Sequence, residues 1–521
     1  MSTSLKTGID LGTTTSGIAT IGADGKPSMI PNREGEVLTP SCVAFPEPGE
    51  VVVGQEAKNM LLACEARAVE VKRLLGMRTE SGESLPCLSV DGRSYTAEEI
   101  SAFILKKLAD DASAFIGQKI ASVVLTVPAY FKDAARRSAL NAAEIAGLKA
   151  RLINEPTAAA LAHGLVAEGT RTIMVYDLGG GTFDVSIIRS TDRRVQTLAT
   201  RGKADLGGTD LDALLMEHVL AEYERQHGAR PDATTESDVA ALQFLKDAAE
   251  RGRLSLSTRP KTVLSLAARG KQVSVEVSRE EFEGMILPLV TDTMAITATA
   301  LEDAGLSIGE VDDVVMVGGT SRTPLVRRCF MERFGREPLS VGVEPQLAVT
   351  KGAALFAAQE SGEGGADAGA GLGRKVEVVD IVPHSLAVDT VDPVTGEHKA
   401  SVIIPRGTPV PEARSKKTYP LEKDLQVACR VVVCAAEEGV PTQSEDCETV
   451  GELYLADLPR QLPREPRIEV QYSFTSDGII HATATDLVSG KTTGNSFRGQ
   501  AGMSAEEIEE AREVVEGTLL G

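Results

Sequence analysis

Val175-Tyr176-Asp177-Leu178-Gly179-Gly180-Gly181-Thr182-Phe183-Asp184-Val185-Ser186-Ile187-Ile188 is a β-rich run that enters a triple-glycine turn and leaves it as another β-rich run, with an aspartate on each side. Successive glycines let the backbone curl until several N–H groups converge on one anion. Asp177 and Asp184 are of the type that holds a hydrated Mg²⁺, and the Thr182 hydroxyl is of the type that touches a phosphate. Thr7-Gly8-Ile9-Asp10-Leu11-Gly12-Thr13-Thr14-Thr15-Ser16-Gly17-Ile18-Ala19 repeats the plan. One Gly-rich turn is usually only a tight hairpin. Two with matched Asp and Thr positions predict two related lobes that clamp a nucleoside triphosphate. No Walker-type phosphate loop is present. Its nearest lookalike, Gly490-Lys491-Thr492, has Thr485 where the first glycine belongs and reads as an exposed hairpin.

A chain of 521 residues is too long for one core and predicts about three or four domain-sized units. Hydrophobic content of 42% with 25% charged residues is ordinary for a soluble globular protein. A net charge of −21 argues against nucleic acid or an anionic membrane as the main partner. No run approaches ~18 consecutive apolar residues, so no membrane span is expected, and the N-terminus has no signal-type segment. Seven scattered cysteines suggest reduced thiols in a cytoplasmic setting. Cys429, Cys434 and Cys447 cluster loosely, at a spacing that matches no common zinc pattern.

Residues 1–360 alternate β-branched and helical runs, which indicates α/β layers. Thr96-x-x-Glu99 is a capping box that opens a helix with Ile100, Phe103, Ile104 and Leu108 on one face. Ser122–Val127 and Val311–Val317 read as buried strands, and Ala134–Ala146 as a helix closed by Gly147. Ser361–Gly373 holds six glycines in thirteen residues and reads as a flexible tether. Lys375–Ile381 is a short apolar-rich connector. From Pro383 onward the pattern is short strands and turns: Arg467–Phe474 alternates with period two, Asp477-Gly478 makes a tight turn, and Ile479–Thr485 returns. This region predicts an antiparallel β-sandwich. Ser504-x-x-Glu507 caps one last helix.

These residues resemble the seventy-kilodalton heat-shock chaperones of the DnaK type. The motifs stand in the family's order: Gly8–Thr14, Val71–Gly76, Thr126–Phe131, Asn154–Gly164, Asp177–Asp184, Leu206–Asp210 and Val317–Pro324. The resemblance implies a two-lobed actin-like α/β ATPase domain over 1–360, a tether and linker over 361–382, a peptide-binding sandwich over 383–502 and a helical stub of a lid over 503–521. It implies ATP and ADP as ligands, with Mg²⁺ and K⁺ as companion cations, and an ATP hydrolase that drives a chaperone cycle in the stress response. Gly12, Thr13, Thr14 and Thr15 would form the first phosphate loop, and Gly179, Gly180, Gly181 and Thr182 the second. Asp10 and Asp177 would hold Mg²⁺ through its water shell, with Asp184, Gly207 and Gly208 beside them. Lys72 would neutralise the γ-phosphate and position the attacking water, Glu155 would orient that water, and Thr182 would contact the γ-phosphate. Such roles suit phosphoryl transfer, where catalysis is mostly positioning and charge neutralisation. Glu250, Arg253 and Ser257 resemble an adenosine-contacting helix, with arginine where lysine is frequent, and Gly318, Gly319 and Arg322 the loop facing it. Leu386, Val388 and Val391 resemble one wall of the peptide groove. Tyr419, Cys429 and Val431 supply the other wall or belong to the core, with the two readings even.

Three departures stand out. The lid is reduced to Ser504–Leu520, which predicts fast peptide release. Glu377 interrupts a linker that is apolar throughout in the family, and burying it would cost free energy unless it is paired. The stretch between Gly76 and Thr96 is short. The implied partners are unfolded or extended polypeptide, a J-domain cochaperone and a nucleotide-exchange factor, with the chaperone itself a monomer. A paralogue with one dedicated partner is the alternative within the family. Outside it stand a small-molecule kinase and a filament-forming ATPase, which share the paired hairpins but need neither the Asn154–Gly164 and Leu206–Asp210 motifs nor a tethered sandwich.

Overall fold

The computed structural model describes residues 7–60, 66–79, 83–163, 169–191, 194–232, 235–339, 344–360, 376–392, 395–410, 413–421, 425–444, 446–460, 466–475, 479–497 and 503–520. Both aspartate motifs are antiparallel hairpins. Thr7–Asp10 pairs with Thr15–Ile21, and Arg171–Leu178 pairs with Phe183–Ser190, which sets Asp177 opposite Asp184. Each hairpin heads a sheet of the same design. In lobe I a parallel strand, Ser122–Val127, lies beside the first hairpin strand, and Pro27–Met29 continues the sheet antiparallel to the second. In lobe II those places go to Asp313–Val317 and Arg194–Lys203. The duplicated two-lobed α/β core read from the motifs is therefore present.

Two helices, Glu155–Ala162 and Ala348–Glu360, pack tightly against each other between the lobes. Small residues permit this: a Cβ added at Gly352 would lie 1.7 Å from the Ala158 carbonyl oxygen. The capping boxes at Thr96/Glu99 and Ser504/Glu507 both form. Ile100, Phe103, Ile104 and Leu108 are buried in the lobe I core. Among the described residues one helix, Arg279–Asp303, is long and apolar enough to cross a membrane by length and composition. Its Phe282, Ile286, Val290 and Met294 belong to the lobe II core. Gly490-Lys491-Thr492 is a hairpin turn, as expected.

The connector is a strand. Glu377–Val379 adds in parallel to the edge of the lobe II sheet, along Arg194–Gln196. Val376 and Val379 are buried while Glu377 stays exposed, its carboxylate 3.9 Å from Arg194. The expected cost of burying Glu377 is thus corrected: the strand docks without burying it. The acid that does go inward is Asp380. It accepts from the Thr157 and Thr197 hydroxyls and lies beside the buried Arg136 guanidinium. The tether Ser361–Gly373 and the turn at Asp477-Gly478 lie outside the described residues.

The C-terminal region forms two four-stranded antiparallel sheets. Ile468–Phe474 alternates buried and half-buried as its period predicts. The even split for Val431 resolves to core, and Leu386 and Val388, expected on a groove wall, are core as well. Tyr419 and Cys429 are half-buried at the margin of that core, and Val391 is half-buried at the end of its strand. The last helix, Ala505–Gly517, packs onto lobe I. Ile508, Ala511 and Val515 join the lobe I core, and Arg512 donates to the Glu144 carbonyl at 2.9 Å. Burial of the two larger side chains stabilises this placement by roughly 1.5–3 kcal/mol each. Leu519–Leu520 then pairs in parallel with Glu50–Val51.

Candidate functional site

The two aspartate turns meet at the cleft between the lobes. A Cβ on Gly180 would fall 1.9 Å from the Thr14 hydroxyl oxygen, so only glycine lets the turns approach this closely. In the first turn the Gly12 N–H donates to Ser16 Oγ at 3.2 Å, and Ser41 Oγ donates to the Gly12 carbonyl at 2.8 Å. In the second, Gly179 O accepts from the Gly208 N–H at 3.0 Å and from Thr320 Oγ1 at 2.7 Å, while Gly180 O accepts from the Thr209 N–H at 2.7 Å. Gly207 and Gly208 therefore brace the cradle from behind. With its carbonyls tied back, the turn has N–H groups left for an anion.

Beneath the turns lies a buried charge cluster. Lys72 Nζ donates to Glu155 Oε1 at 2.6 Å, and both side chains are almost wholly buried. Lys72 comes from the one-turn helix Val71–Leu74 of lobe I, and Glu155 opens the crossing helix behind Asn154. Asp10 accepts from Thr126 Oγ1 at 2.8 Å. Burial raises the Asp10 and Glu155 carboxyls above their ordinary range and raises Asp177 and Asp184 well above it. For Lys72, burial alone would favour the neutral amine, but Glu155, Asp10 and Asp177 reverse this and hold the ammonium form. Four acids, three of them buried, around one lysine make a site short of positive charge.

The donors fit a hydrated divalent cation. Asp184 Oδ1 is buried without a partner. Among the described residues, no three His, Cys, Asp or Glu side chains are placed to hold a metal ion directly. Carboxylates that reach a cation through its waters need no such grouping.

The expected adenosine residues divide. Glu250 and Arg253 line a cavity of about 70 Å³ at the cleft mouth with Thr13, Thr14, Lys58, Glu70, Asp212 and Lys246. Arg253 is committed to Asp212, with Nε–Oδ1 at 2.6 Å and both groups buried. Ser257 donates to the Arg253 carbonyl at 3.3 Å. Gly318 adjoins Leu178 and Asp177, and Gly319 adjoins Gln346. Arg322 pairs with Glu344 at 3.0 Å and faces a separate cavity with His163 and Met316.

Sequence reasoning missed the contacts that span the cleft. Lys58 pairs with Glu250 at 2.6 Å and Lys246 with Glu70 at 2.5 Å. Arg73, next to Lys72, reaches the Gly181 carbonyl and Asp210. Only its place inside the Val71–Gly76 motif marked Arg73.

Comparison with known proteins agrees with this geometry. The family model described as Hsp70 protein matches residues 6–518. The chain is 39% identical over 511 residues to the chaperone protein DnaK of Thermotoga neapolitana, covering 96% of this chain and 81% of the relative. The DnaK of Thermotoga maritima gives the same values. That of Thermosipho africanus is 38% identical over 510 residues, with the same coverage.

Proposed function

The chain belongs to the Hsp70 family, and from that premise we infer that the cluster of Lys72 and Glu155 between the two aspartate turns is where its ATP is hydrolysed. The protein is an ATP-dependent molecular chaperone, whose ATPase drives the binding and release of extended apolar segments of unfolded proteins. The observation that carries the site is the buried Lys72–Glu155 contact of 2.6 Å, with Asp10 and Asp177 as neighbours of the ammonium.

In this reading the N–H groups of the Thr13–Thr15 and Gly179–Thr182 turns bind the phosphates. Lys72 places its ammonium against the γ-phosphate, and Glu155 fixes that ammonium and orients the attacking water. The Thr182 hydroxyl contacts the γ-phosphate. Asp10 and Asp177 would hold Mg²⁺ through its waters, a cation that would neutralise phosphate charge, and Asp184 adds to the acidic wall; K⁺ would suit the same surroundings. Glu250, Arg253 and Ser257 form the adenosine side of the cleft, with Arg253 acting through Asp212. Arg322 would have to leave Glu344 to reach adenine. The division into an ATPase domain to residue 360, a linker to 382, a sandwich to 502 and a terminal helix follows the same reading, supported by the docked strand Glu377–Val379. On the sandwich, Val391, Tyr419 and Cys429 retain the surface an extended peptide would meet. A J-domain cochaperone, an exchange factor, a monomeric state and a cytoplasmic setting complete the proposal. No observation favours a small-molecule kinase or a single dedicated partner.

Lys72→Ala tests the site. ATP binding should persist while hydrolysis falls close to background, as expected when charge neutralisation is removed from phosphoryl transfer. Turnover at the parent rate would remove Lys72 from the mechanism.

A further inference from the structure

Two adjacent residues of the turn Val71–Leu74 go to opposite lobes. Lys72 points into the acidic cluster, and Arg73 crosses to lobe II. The Arg73 guanidinium donates to the Gly181 carbonyl from Nε at 3.0 Å and from Nη2 at 2.6 Å. It also donates to Asp210, from Nη1 at 3.3 Å and from Nη2 at 2.5 Å. Asp210 is itself fixed, accepting from the Gly207 N–H at 2.7 Å at the start of its helix.

The three carbonyls of the glycine turn are therefore held in two ways. Those of Gly179 and Gly180 are tied by Gly208, Thr209 and Thr320, all within lobe II. Among the described residues, the donors to the Gly181 carbonyl are those of Arg73, which belongs to lobe I. In a trans peptide the C=O and the following N–H point in opposite directions. Pinning the Gly181 carbonyl thus turns the Thr182 N–H the other way. The preceding residue, Glu70, is held at a left-handed φ of 59° and pairs across the cleft with Lys246. A non-glycine residue keeps such a backbone only where its surroundings over-determine it. The turn that carries Arg73 is therefore anchored on both sides.

We propose that Arg73 is a positioning residue for ATP hydrolysis: it sets the Gly181–Thr182 peptide of the phosphate cradle, and does so only when the lobes are closed. Lobe closure and completion of the cradle are then one event. Arginine is required because one planar fork serves a carbonyl and a carboxylate together, which a lysine point charge does not. This inference rests on the reading of the cleft as the ATPase site.

The test uses the full chain with Arg73→Met and Arg73→Lys, in single-turnover hydrolysis at saturating ATP, expressed per bound ATP. Both variants should hydrolyse about tenfold to a hundredfold more slowly, the scale of a misplaced positioning group, while ATP affinity changes much less. Added methylguanidinium should restore rate to Arg73→Met and not to Arg73→Lys. A rate per bound ATP equal to the parent in Arg73→Met overturns the proposal, as does Arg73→Lys matching the parent. If Arg73→Met yields no folded protein, Asp210→Asn decides: it should slow hydrolysis in the same manner, and a parent rate refutes the strap. Lys72→Ala run in parallel separates the failures. If Lys72→Ala turns over normally, the site reading fails; if it is inactive while Arg73→Met is normal, only the role of Arg73 fails.

Discussion

Asp380→Asn should release the linker strand from lobe II, and Glu377→Ala should not, although both acids lie within four residues of one connector. Asp380 is half-buried, accepts from Thr157 Oγ1 at 3.4 Å and Thr197 Oγ1 at 3.3 Å, and is the strongest opposite charge acting on the buried Arg136. Asparagine keeps an acceptor for the hydroxyls but removes the charge. Breaking a buried contact pair from one side costs about 3–5 kcal/mol, but Arg136 donates to Phe131 and Asn154 and acts on Asp380 only through space, so the applicable cost is no higher than the low end of that range. Burial already raises the Asp380 carboxyl, so the low end, about 3 kcal/mol, is the fitting value. At about 1.4 kcal/mol per tenfold, the undocked population should rise roughly a hundredfold. Glu377 is 65% exposed and 3.9 Å from Arg194, so its loss should change docking by no more than about threefold.

Amide hydrogen exchange across Glu377–Val379 reads this directly, at whichever alternate amides of this edge strand donate to the strand at Arg194–Gln196. Exchange there should accelerate by about two orders of magnitude in Asp380→Asn, with the sandwich core unchanged. In the same variant, ATP should no longer shift peptide affinity relative to ADP. Unchanged protection in Asp380→Asn, or equal loss in Glu377→Ala, would refute the claim that Asp380 holds the strand.

Two further outcomes follow from other contacts. Burial pushes the Asp133 carboxyl of lobe I up to about 7 and the His384 imidazole of the sandwich down to about 4, and they face each other at 3.8 Å among Lys132, Arg136 and Glu448. The raised carboxyl makes docking weaken as pH rises through 7, whereas the lowered imidazole makes it weaken as pH falls from 6.5 towards 4, so the slopes oppose in the parent. His384→Leu should therefore dock more tightly from pH 7 to 5 and Asp133→Asn less tightly, by linker exchange corrected for intrinsic rates; slopes of one sign in both variants would discard the pairing. Lys58→Ala removes the 2.6 Å contact to Glu250 across the cleft, a partly exposed pair worth about 0.5–1 kcal/mol, so labelled ADP should leave roughly two- to fivefold faster, and an unaltered release rate would remove this pair as a latch.

What the sequence made legible was local. The hairpins can be read because strand, turn and aspartate lie within fourteen residues, and the capping boxes because their members stand three positions apart. Linker docking is not legible in composition, which counts Glu377 among the residues to be buried, because the placement of this short strand along Arg194–Gln196 decides which of its side chains stay in solvent. In the sandwich, Leu386 and Val388, which the family resemblance places on a groove wall, lie in the core, and so does Val431, for which core and groove read as even. The contacts of Arg73 with Asp210, of Lys58 with Glu250 and of Arg253 with Asp212 join residues 137, 192 and 41 apart. Nothing local marks such pairs, since any exposed lysine or arginine has the same neighbours in sequence whether it faces solvent or another lobe. The Arg73–Asp210 and Lys58–Glu250 pairs exist only in the closed arrangement of the two lobes, whereas Arg253–Asp212 is fixed within lobe II. Two of the three hidden contacts thus depend on closure, which is where a two-lobed ATPase can be controlled.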